Sequence, residues 1–504
     1  MGARALNLAG IIDGHPADAV AIISRDRETT YGELREQVAA ARGGLAGLGL
    51  GRGHRVALLL GNGRQFVVSY LAVVGLGAVA VPLNPASPAK ELERELAAVD
   101  AAAVIVGPAA MPSWRDVDLT VVPTVRRVIV GDGQLPGATA FEQLLAGEPV
   151  AAFDVDPDIA ADDLAVLIFT SGTAGAPRPA MLSHGNLLSN IEQASASGSG
   201  MTSSDVVLGV LPMFHIFGLN VVLGIALHAG AALVLVERFD PLTALETIRD
   251  RHVTVVPGAP PMWVAFSTFD DAPADAFAAV RSASTGAAKM PEETIRRLAE
   301  RFGLVLQEGY GLTEAAPVVT SSRGLPIKIG SIGRVLDGID VRLVDESGED
   351  VLAGDAGEIW VRGPNVFKGY LDDPEGTARV LTADGWLRTG DIAVTDEDGY
   401  LYLIDRAKDL IIVSGFNVYP KEVEDVLMEH PGVAEVGVIG VPHSHTGEAV
   451  KAFVVPAPGA HLDEDALISH CMEELARYKC PSTIVFIDQL PRNVNGKLLR
   501  RELT

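Results

Sequence analysis

Cysteine is scarce in this chain of 504 residues, which contains only Cys471 and Cys480. Two thiols exclude a disulfide framework and any metal site built from four thiolates, and they are typical of a protein kept in a reducing compartment. The first residues also lack a basic segment followed by an apolar one. We therefore predict no secretory signal and a cytoplasmic location.

Positive charge is also in short supply, with 40 Lys and Arg residues against 65 Asp and Glu residues and a formal net charge of -25. Because nucleic-acid binding requires clustered cations, we expect no nucleic-acid partner. The most apolar run, residues 66–82, approaches membrane-spanning length. Its internal glycine turn instead predicts a buried helix followed by a buried strand, so we expect no integral membrane segment.

The chain does contain a regular alternation of apolar runs of strand length and helical patterns, up to about residue 400. Runs such as VALLL, AVLIF and AALVLV are typical of α/β architecture with buried, largely parallel sheets. From about residue 330, short alternating strands predict a β-rich subdomain, and beyond the charged turn at 406–409 the pattern becomes α+β. We predict a large N-terminal domain over residues 1–405 and a small C-terminal domain over residues 406–504.

A loop rich in glycine and hydroxyl side chains, Thr170-Ser-Gly-Thr-Ala-Gly-Ala-Pro-Arg178, directly follows the strand AVLIF. Backbone N–H groups, hydroxyls and a cation in such a loop are suited to binding phosphate. The loop lacks the Gly-Lys-Ser/Thr ending of a Walker A motif. The next segment, MLSHGNLLSNI, predicts a helix with Ser183 near its start. We interpret the loop as a phosphate-binding turn between a strand and a helix.

Three further motifs carry side chains suited to a nucleotide, although each is a weak signal alone. In QEGYGLTE, Glu314 offers a hard oxygen ligand for Mg²⁺ and Tyr310 offers a face for a base. In WLRTGD, Asp391 can accept hydrogen bonds from ribose hydroxyls. In PRNVNGK, Lys497 follows a glycine in a polar turn and suits a developing phosphate charge.

These motifs occur in one order with the strings GAVAVPLNP, LPMFHIFG, STGAA, GSIGRVLDG and DRAKDLIIVSGFNVYPKEVE. Together they resemble the adenylate-forming superfamily, which includes acyl-CoA synthetases, luciferases and the adenylation domains of peptide synthetases. The resemblance runs from about residue 30 to the C-terminus and looks most like bacterial acyl-CoA synthetases. It implies an ATP-dependent ligase that converts a carboxylic acid, a fatty acid in the leading interpretation, to acyl-AMP and then to a CoA thioester. ATP, Mg²⁺ and CoA are the implied small molecules.

The resemblance also implies roles for residues of this chain. The implied catalytic residues are Lys497, Glu314 and Thr170, and Glu314 would assist Mg²⁺. The implied hinge is Lys408. The small domain would turn on it, so that Lys497 leaves the site and the face that forms the CoA tunnel takes its place. The implied ATP, acyl-adenylate and CoA contacts are Thr170, Ser171, Gly172, Thr173, Ala174, Gly175, Arg178, Gly286, Ala287, Ala288, Glu308, Gly309, Tyr310, Gly311, Leu312, Thr313, Asp391, Arg406, Ser414 and Gly415. The implied walls of the acyl pocket are Phe214, His215, Phe217 and Gly286.

Two departures from the family pattern leave alternatives open. The phosphate loop reads Pro177-Arg178-Pro179 where Pro-Lys-Gly is usual, which admits altered ATP affinity or a degenerate nucleotide-binding protein. Lys289 stands where a proline is more usual, near the expected acyl pocket, which admits an acid with a second anionic group. The remaining alternatives are a dicarboxylate ligase of malonyl-CoA synthetase type and an acyl-AMP ligase that loads an acyl carrier protein.

Overall fold

The architecture follows from a computed structural model. It describes residues 7–25, 27–132, 135–152, 162–171, 177–198, 200–287, 290–345, 347–352, 354–406, 411–418, 420–491, Arg500 and Leu503. Within these ranges no helix has both the length and the apolar character needed to cross a membrane. The predicted α/β class is confirmed, with a large N-terminal domain and a small C-terminal one.

The strands are β1 Val20–Ser24, β2 Arg27–Thr30, β3 Arg55–Leu59, β4 Val79–Pro82, β5 Ala103–Val106, β6 Arg127–Val130, β7 Thr139–Ala140, β8 Leu164–Ser171, β9 Pro177–Ser183, β10 Val206–Gly209, β11 Ala232–Leu235, β12 Val255–Gly258, β13 Ser282–Thr285, β14 Leu306–Gly311, β15 Val318–Ser321, β16 Arg334–Val335, β17 Asp340–Val344, β18 Gly357–Arg362, β19 Leu387–Thr395, β20 Leu401–Arg406, β21 Ile411–Val413, β22 Phe416–Val418, β23 Val433–His443, β24 Gly447–Pro456 and β25 Thr483–Phe486.

The α-helices are α1 Tyr31–Gly47, α2 Arg64–Gly75, α3 Ala89–Ala98, α4 Met111–Trp114, α5 Phe141–Leu144, α6 His184–Ala196, α7 Ile225–Ala229, α8 Pro241–Asp250, α9 Pro260–Thr268, α10 Glu292–Phe302, α11 Pro374–Val380, α12 Pro420–Met428 and α13 Glu464–Glu474. A π-helical segment, Phe217–Gly224, leads into α7.

Two large sheets form the body of the protein. One has the strand order β7-β6-β5-β3-β4-β8-β9, and the other has the order β16-β15-β14-β13-β12-β10-β11-β1-β2. Their central strands are parallel, and antiparallel strands occur only towards the edges among the described pairs, which confirms the largely parallel sheets predicted from the apolar runs. The main hydrophobic core lies between the two sheets, where it buries residues of α1, α2 and α6.

The most apolar run forms a buried helix and a strand, as predicted. In α2, every residue from Phe66 to Gly75 is buried. This part of the helix has no solvent-facing side, which is why its sequence lacks the alternation of apolar and polar residues of a surface helix. Gly77 then adopts a φ of 72°, which suits glycine, and the chain enters the buried strand β4. The run therefore belongs to the core of a globular domain.

The helix predicted in MLSHGNLLSNI, with Ser183 near its start, is confirmed, but the segment between the glycine-rich loop and this helix was not predicted as a strand. It forms β9, which lies antiparallel to β8 with Thr170 opposite Arg178. Helix α6 begins only at His184, where the Ser183 hydroxyl accepts a hydrogen bond from the N–H of Asn186. Pairing with the edge of β8 satisfies the backbone hydrogen bonds of residues 177–183 in a strand, and the helical pattern applies from His184 onward. The loop therefore connects two antiparallel strands, not a strand and a helix.

The chain changes sheet between residues 406 and 411. Strand β20 completes an antiparallel sheet of order β17-β18-β19-β20, which is the predicted β-rich subdomain. Strand β21 belongs to the C-terminal sheet, of order β22-β21-β24-β23 with β25 beside β24. The predicted domain boundary at 405/406 remains a prediction, and Lys408 lies outside the described residues.

Candidate active site

A cavity of about 270 Å³ lies where the carboxyl ends of β8, β13 and β14 face the C-terminal domain. Ligands of α/β proteins bind at this end of parallel strands, because the loops that follow the strands converge there. The wall includes the strand ends themselves, part of β19, and the β21–β22 turn of the C-terminal domain. Residues distant in sequence thus meet around one space.

Two hydrogen bonds between tyrosines and carboxylates fix one wall of the cavity. Tyr310 Oη donates to Asp391 Oδ2 at 2.6 Å, which links β14 to β19. Tyr370 Oη donates to Glu314 Oε1 at 2.7 Å. Gly311 permits the tight turn between them, because a Cβ there would lie 2.1 Å from the carbonyl oxygen of Pro317. The two carboxylates singled out from the sequence therefore face the same cavity.

The cation of the predicted phosphate loop is anchored to the protein. Arg178 Nε lies 3.1 Å from Asp373 Oδ2, and its guanidinium lies 5.7 Å from the ring centroid of Tyr370. Thr170 Oγ1 donates to the carbonyl oxygen of Arg178 at 3.3 Å. In the described part of the chain, Thr170 contributes to the cavity wall and Arg178 does not.

The predicted acyl pocket is aromatic and closely packed. A Cβ on Gly286 would lie 3.3 Å from Cε1 of Phe217, so glycine opens space beside this ring. His215 Nδ1 accepts a hydrogen bond from the N–H of Phe217 at 3.3 Å. Burial lowers the pKa of His215 to about 4, so its imidazole is neutral near pH 7 and adds no charge to this wall.

The C-terminal domain closes the cavity with the turn between β21 and β22. A Cβ on Gly415 would lie 3.6 Å from the Cβ of Ala287 in the large domain. Phe416 stacks on Phe214 with ring centroids 6.0 Å apart and an interplanar angle of 11°. Ser414, in the same turn, lines a second opening between the domains, which is also lined by His443, Arg477 and Tyr478. The two openings meet at Phe214 and Phe416.

The structure brings most of the predicted site residues together. The cavity wall contains Thr170, Phe214, His215, Phe217, Gly286, Ala287, Glu308, Gly309, Tyr310, Gly311, Leu312, Thr313, Glu314, Asp391 and Gly415. Residues 172–176, Ala288, Lys408 and Lys497 lie outside the described residues, as do the side chains of Ser171 and Arg406. The roles of all these residues stay predictions.

Sequence reasoning missed a buried charged cluster between the two domains. Lys479 Nζ lies 2.7 Å from Oε1 of Glu91 and 2.9 Å from Oε1 of Glu422. Glu91 and Glu95 both line the cavity and are buried. In the sequence, acidic residues four apart on a helix indicate a solvated face. Only the docking of the C-terminal domain on α3 buries them, and no sequence signal reports that contact.

Comparison with known proteins agrees with this architecture. The chain matches the AMP-binding enzyme family over residues 11–371 and the AMP-binding enzyme C-terminal domain over residues 422–497. It is 36% identical to a long-chain-fatty-acid–CoA ligase of Salmonella typhimurium, over 97% of this chain and 91% of that protein. It is 38% identical to the 3-[(3aS,4S,7aS)-7a-methyl-1,5-dioxo-octahydro-1H-inden-4-yl]propanoyl:CoA ligase of Rhodococcus jostii, over 96% of this chain and 95% of that protein.

A solved structure shares the whole fold. The amide bond synthetase McbA from Marinactinospora thermotolerans superposes with a TM-score of 0.89 at 31% identity, over 99% of both chains. The family matches and these relatives span nearly the full length of the chain. The chain therefore belongs to the AMP-binding enzyme family and is an AMP-forming enzyme of the adenylate-forming superfamily of acyl-CoA synthetases.

Proposed function

We propose that this enzyme activates a carboxylic acid with an apolar body, such as a fatty acid, as acyl-AMP and transfers the acyl group to CoA. AMP and pyrophosphate are the other products. One observation carries the proposal: the cavity holds Glu314 and Asp391 on one wall and is closed by Gly415 and Phe416 of the C-terminal domain. The second opening past Ser414 supplies a route for a long thiol to reach the same space.

The nucleotide half of the cavity suits ATP in chemical terms. Asp391 accepts a hydrogen bond from Tyr310 at one oxygen, which orients its carboxylate to receive ribose hydroxyls. Tyr370 orients Glu314 in the same way. Mg²⁺ bound to substrate phosphates needs only one or two protein carboxylates, so Glu314 fits as its ligand, and the ion would neutralise the charge of the leaving pyrophosphate.

Two successive displacements complete the proposed reaction. A carboxylate oxygen of the acid attacks the α-phosphorus of ATP and pyrophosphate leaves. The sulfur of CoA then attacks the acyl carbon of the mixed anhydride, and AMP leaves with the bonding electron pair. Positioning and charge neutralisation account for such chemistry without a protein nucleophile. In the first step, Lys497 is proposed to neutralise the negative charge that develops on the phosphate. Lys408 is proposed to be the hinge between a large domain over residues 1–405 and a small domain over residues 406–504.

The chemistry is tested by measuring pyrophosphate release from ATP and Mg²⁺ across a panel of acids, with and without CoA. We expect release that depends on one class of acid, with the matching acyl-CoA as product. Acyl-AMP that accumulates and does not react with CoA would contradict the proposed acceptor and favour a carrier-protein thiol or an amine. No release with any acid would contradict the ligase and favour a degenerate nucleotide-binding protein.

A further inference from the structure

The end of the cavity remote from Asp391 carries an arginine whose side chain has no partner among the described residues. Arg323 follows β15 in a tight turn, where its backbone N–H donates to Ser321 Oγ at 3.1 Å. The next residue back, Ser322, accepts at Oγ from the N–H of Glu308 at 2.8 Å, which ties the turn to β14. Arg323 lines the cavity. Over the described part of the chain, its guanidinium contacts no carboxylate, carbonyl or aromatic ring.

Where the chain is described, the charge that acts on Arg323 is another cation, Arg281, and not a carboxylate. Arg281 has its own carboxylate partner, Asp205, which accepts hydrogen bonds from Arg281 Nε at 2.7 Å and from Thr254 Oγ1 at 2.8 Å. Burial, and then the charge of Arg281, lower the pKa of Arg323 below the usual guanidinium value. A guanidinium remains charged even so, and a charge withdrawn from water without a partner favours an oxygen ligand that can approach it.

The space between the nucleotide wall and Arg323 is apolar along its sides and polar at its end. The side walls are formed by Ala194, Val221, Ile225, Val318 and Leu336. At the end, Gln307 joins Arg323 in the wall, and Gln307 Oε1 accepts from Ser282 Oγ at 3.2 Å, which leaves the amide nitrogen as a donor. Strand β14 runs along this space, and its path from Gly311 to Gln307 is about 13 Å at the rise of an extended strand.

We propose that Arg323 determines acid specificity by binding an oxygen acceptor at the end of the substrate remote from the activated carboxylate. The substrate class is then a carboxylic acid with an apolar body and a distal carbonyl or carboxylate group. Malonate does not fit, because a single carbon separates its two carboxylates, far less than the length of the apolar walls. This inference rests on the proposed function, since it places the acyl group in this half of the cavity.

Three acids of one chain length test the assignment: decanoate, the methyl ketone acid of the same length, and decanedioate. We expect the wild-type enzyme to have a kcat/KM about tenfold to a hundredfold higher for the two acids with a distal oxygen than for decanoate. This factor corresponds to the free energy of one hydrogen bond to a charged group. Arg323→Met should lose this preference, so that the ratios of kcat/KM between the three acids fall to about one. Arg323→Lys retains the charge without the planar fork, so it should restore decanedioate more than the ketone.

The control is Arg296→Met, on the exposed face of α10, which should leave all three values unchanged. Equal kcat/KM for the three acids in the wild-type enzyme would overturn the role of Arg323 and leave the ligase intact. If no acid releases pyrophosphate, the proposed function fails. The role of Arg323 is then tested separately, by measuring the affinities of the protein for decanedioate and decanoate by calorimetry. Tighter decanedioate binding that Arg323→Met abolishes would uphold it, and equal affinities would overturn it.

Discussion

The ammonium of Lys479 lies 2.7 Å from Oε1 of Glu91, and this buried ion pair ties the C-terminal domain to α3 of the large domain. The same ammonium lies 2.9 Å from Oε1 of Glu422 in α12. One cation therefore forms ion pairs with two buried carboxylates at the domain interface. Removing one member of such a group leaves charge buried without a partner, which costs far more than the loss of an exposed salt bridge.

Lys479→Met should weaken the docking of the C-terminal domain. We expect the docked arrangement to lose about 3–5 kcal/mol, the usual cost of stranding a buried charge. Small-angle scattering should then show a larger radius of gyration, and thioester formation from supplied acyl-AMP should slow. Lys451→Met is the matched control, because Lys451 lies on β24 and contacts only the ring of Phe453 among the described interactions. Unchanged scattering in Lys479→Met would contradict the prediction.

Domain docking should also depend on pH through Glu95. Burial raises the pKa of Glu95 to about 8. The negative charges of Glu91 and Glu422 raise this pKa further, and the positive charges of Lys479 and Arg94 lower it. The ordinary value is 4.5, so the docked form holds a proton that the undocked form has lost. Docking is then strongest below about pH 4.5, weakens as the pH rises to about 8, and is constant above that.

Scattering at about pH 6 and about pH 9 checks this dependence, with a more compact particle expected at the lower pH. Glu95→Gln supplies the control, since an amide stays neutral at every pH and keeps the shape of the side chain. The variant should stay docked at both values. If it expands with pH as much as the wild-type protein does, Glu95 is not the group that titrates.

Tyr310→Phe should weaken ATP binding by removing the hydroxyl that donates to Asp391 at 2.6 Å. A hydrogen bond to a charged group contributes about 1.5–3 kcal/mol, so we expect the KM for ATP to rise roughly tenfold or more, with a smaller change in kcat. Tyr402→Phe is the control, because Tyr402 donates to Asp396 at 3.1 Å in the same small sheet, away from the cavity. A similar rise in both variants would point to damage to the sheet instead.

The parts of the fold that could be predicted are those whose signal is local. Strands β3, β8 and β12 are buried on both faces, so they appear as short apolar runs in any sequence that encodes them. Strand β9 was missed because it exists through pairing with β8, and its own residues carry a mixed pattern. Edge strands of this kind depend on a partner that the local sequence does not specify.

The same distinction holds for the site. Motif residues such as Glu314 and Asp391 could be located because each lies in a recognisable string, although their shared cavity depends on the fold. Arg323 carries no such signal, because its lack of a carboxylate partner among the described residues depends on which side chains the neighbouring elements place near it, such as the cation Arg281. Contacts between α3 and Lys479 depend on how two domains dock, which no local pattern encodes.

Gly286 should set the width of the acyl pocket. A Cβ at this position would lie 3.3 Å from Cε1 of Phe217, so the methyl groups of Gly286→Val must displace that ring or fill the cavity. Overpacking of this kind costs about 1–3 kcal/mol, and we expect kcat/KM to fall about tenfold for bulky acids while acetate-sized acids are spared. Gly51→Val, where a Cβ meets no atom within 4 Å, should leave the acid profile unchanged. An equal loss for short and bulky acids in Gly286→Val would mean that the substitution disturbs the fold, because a narrowed pocket must discriminate by size.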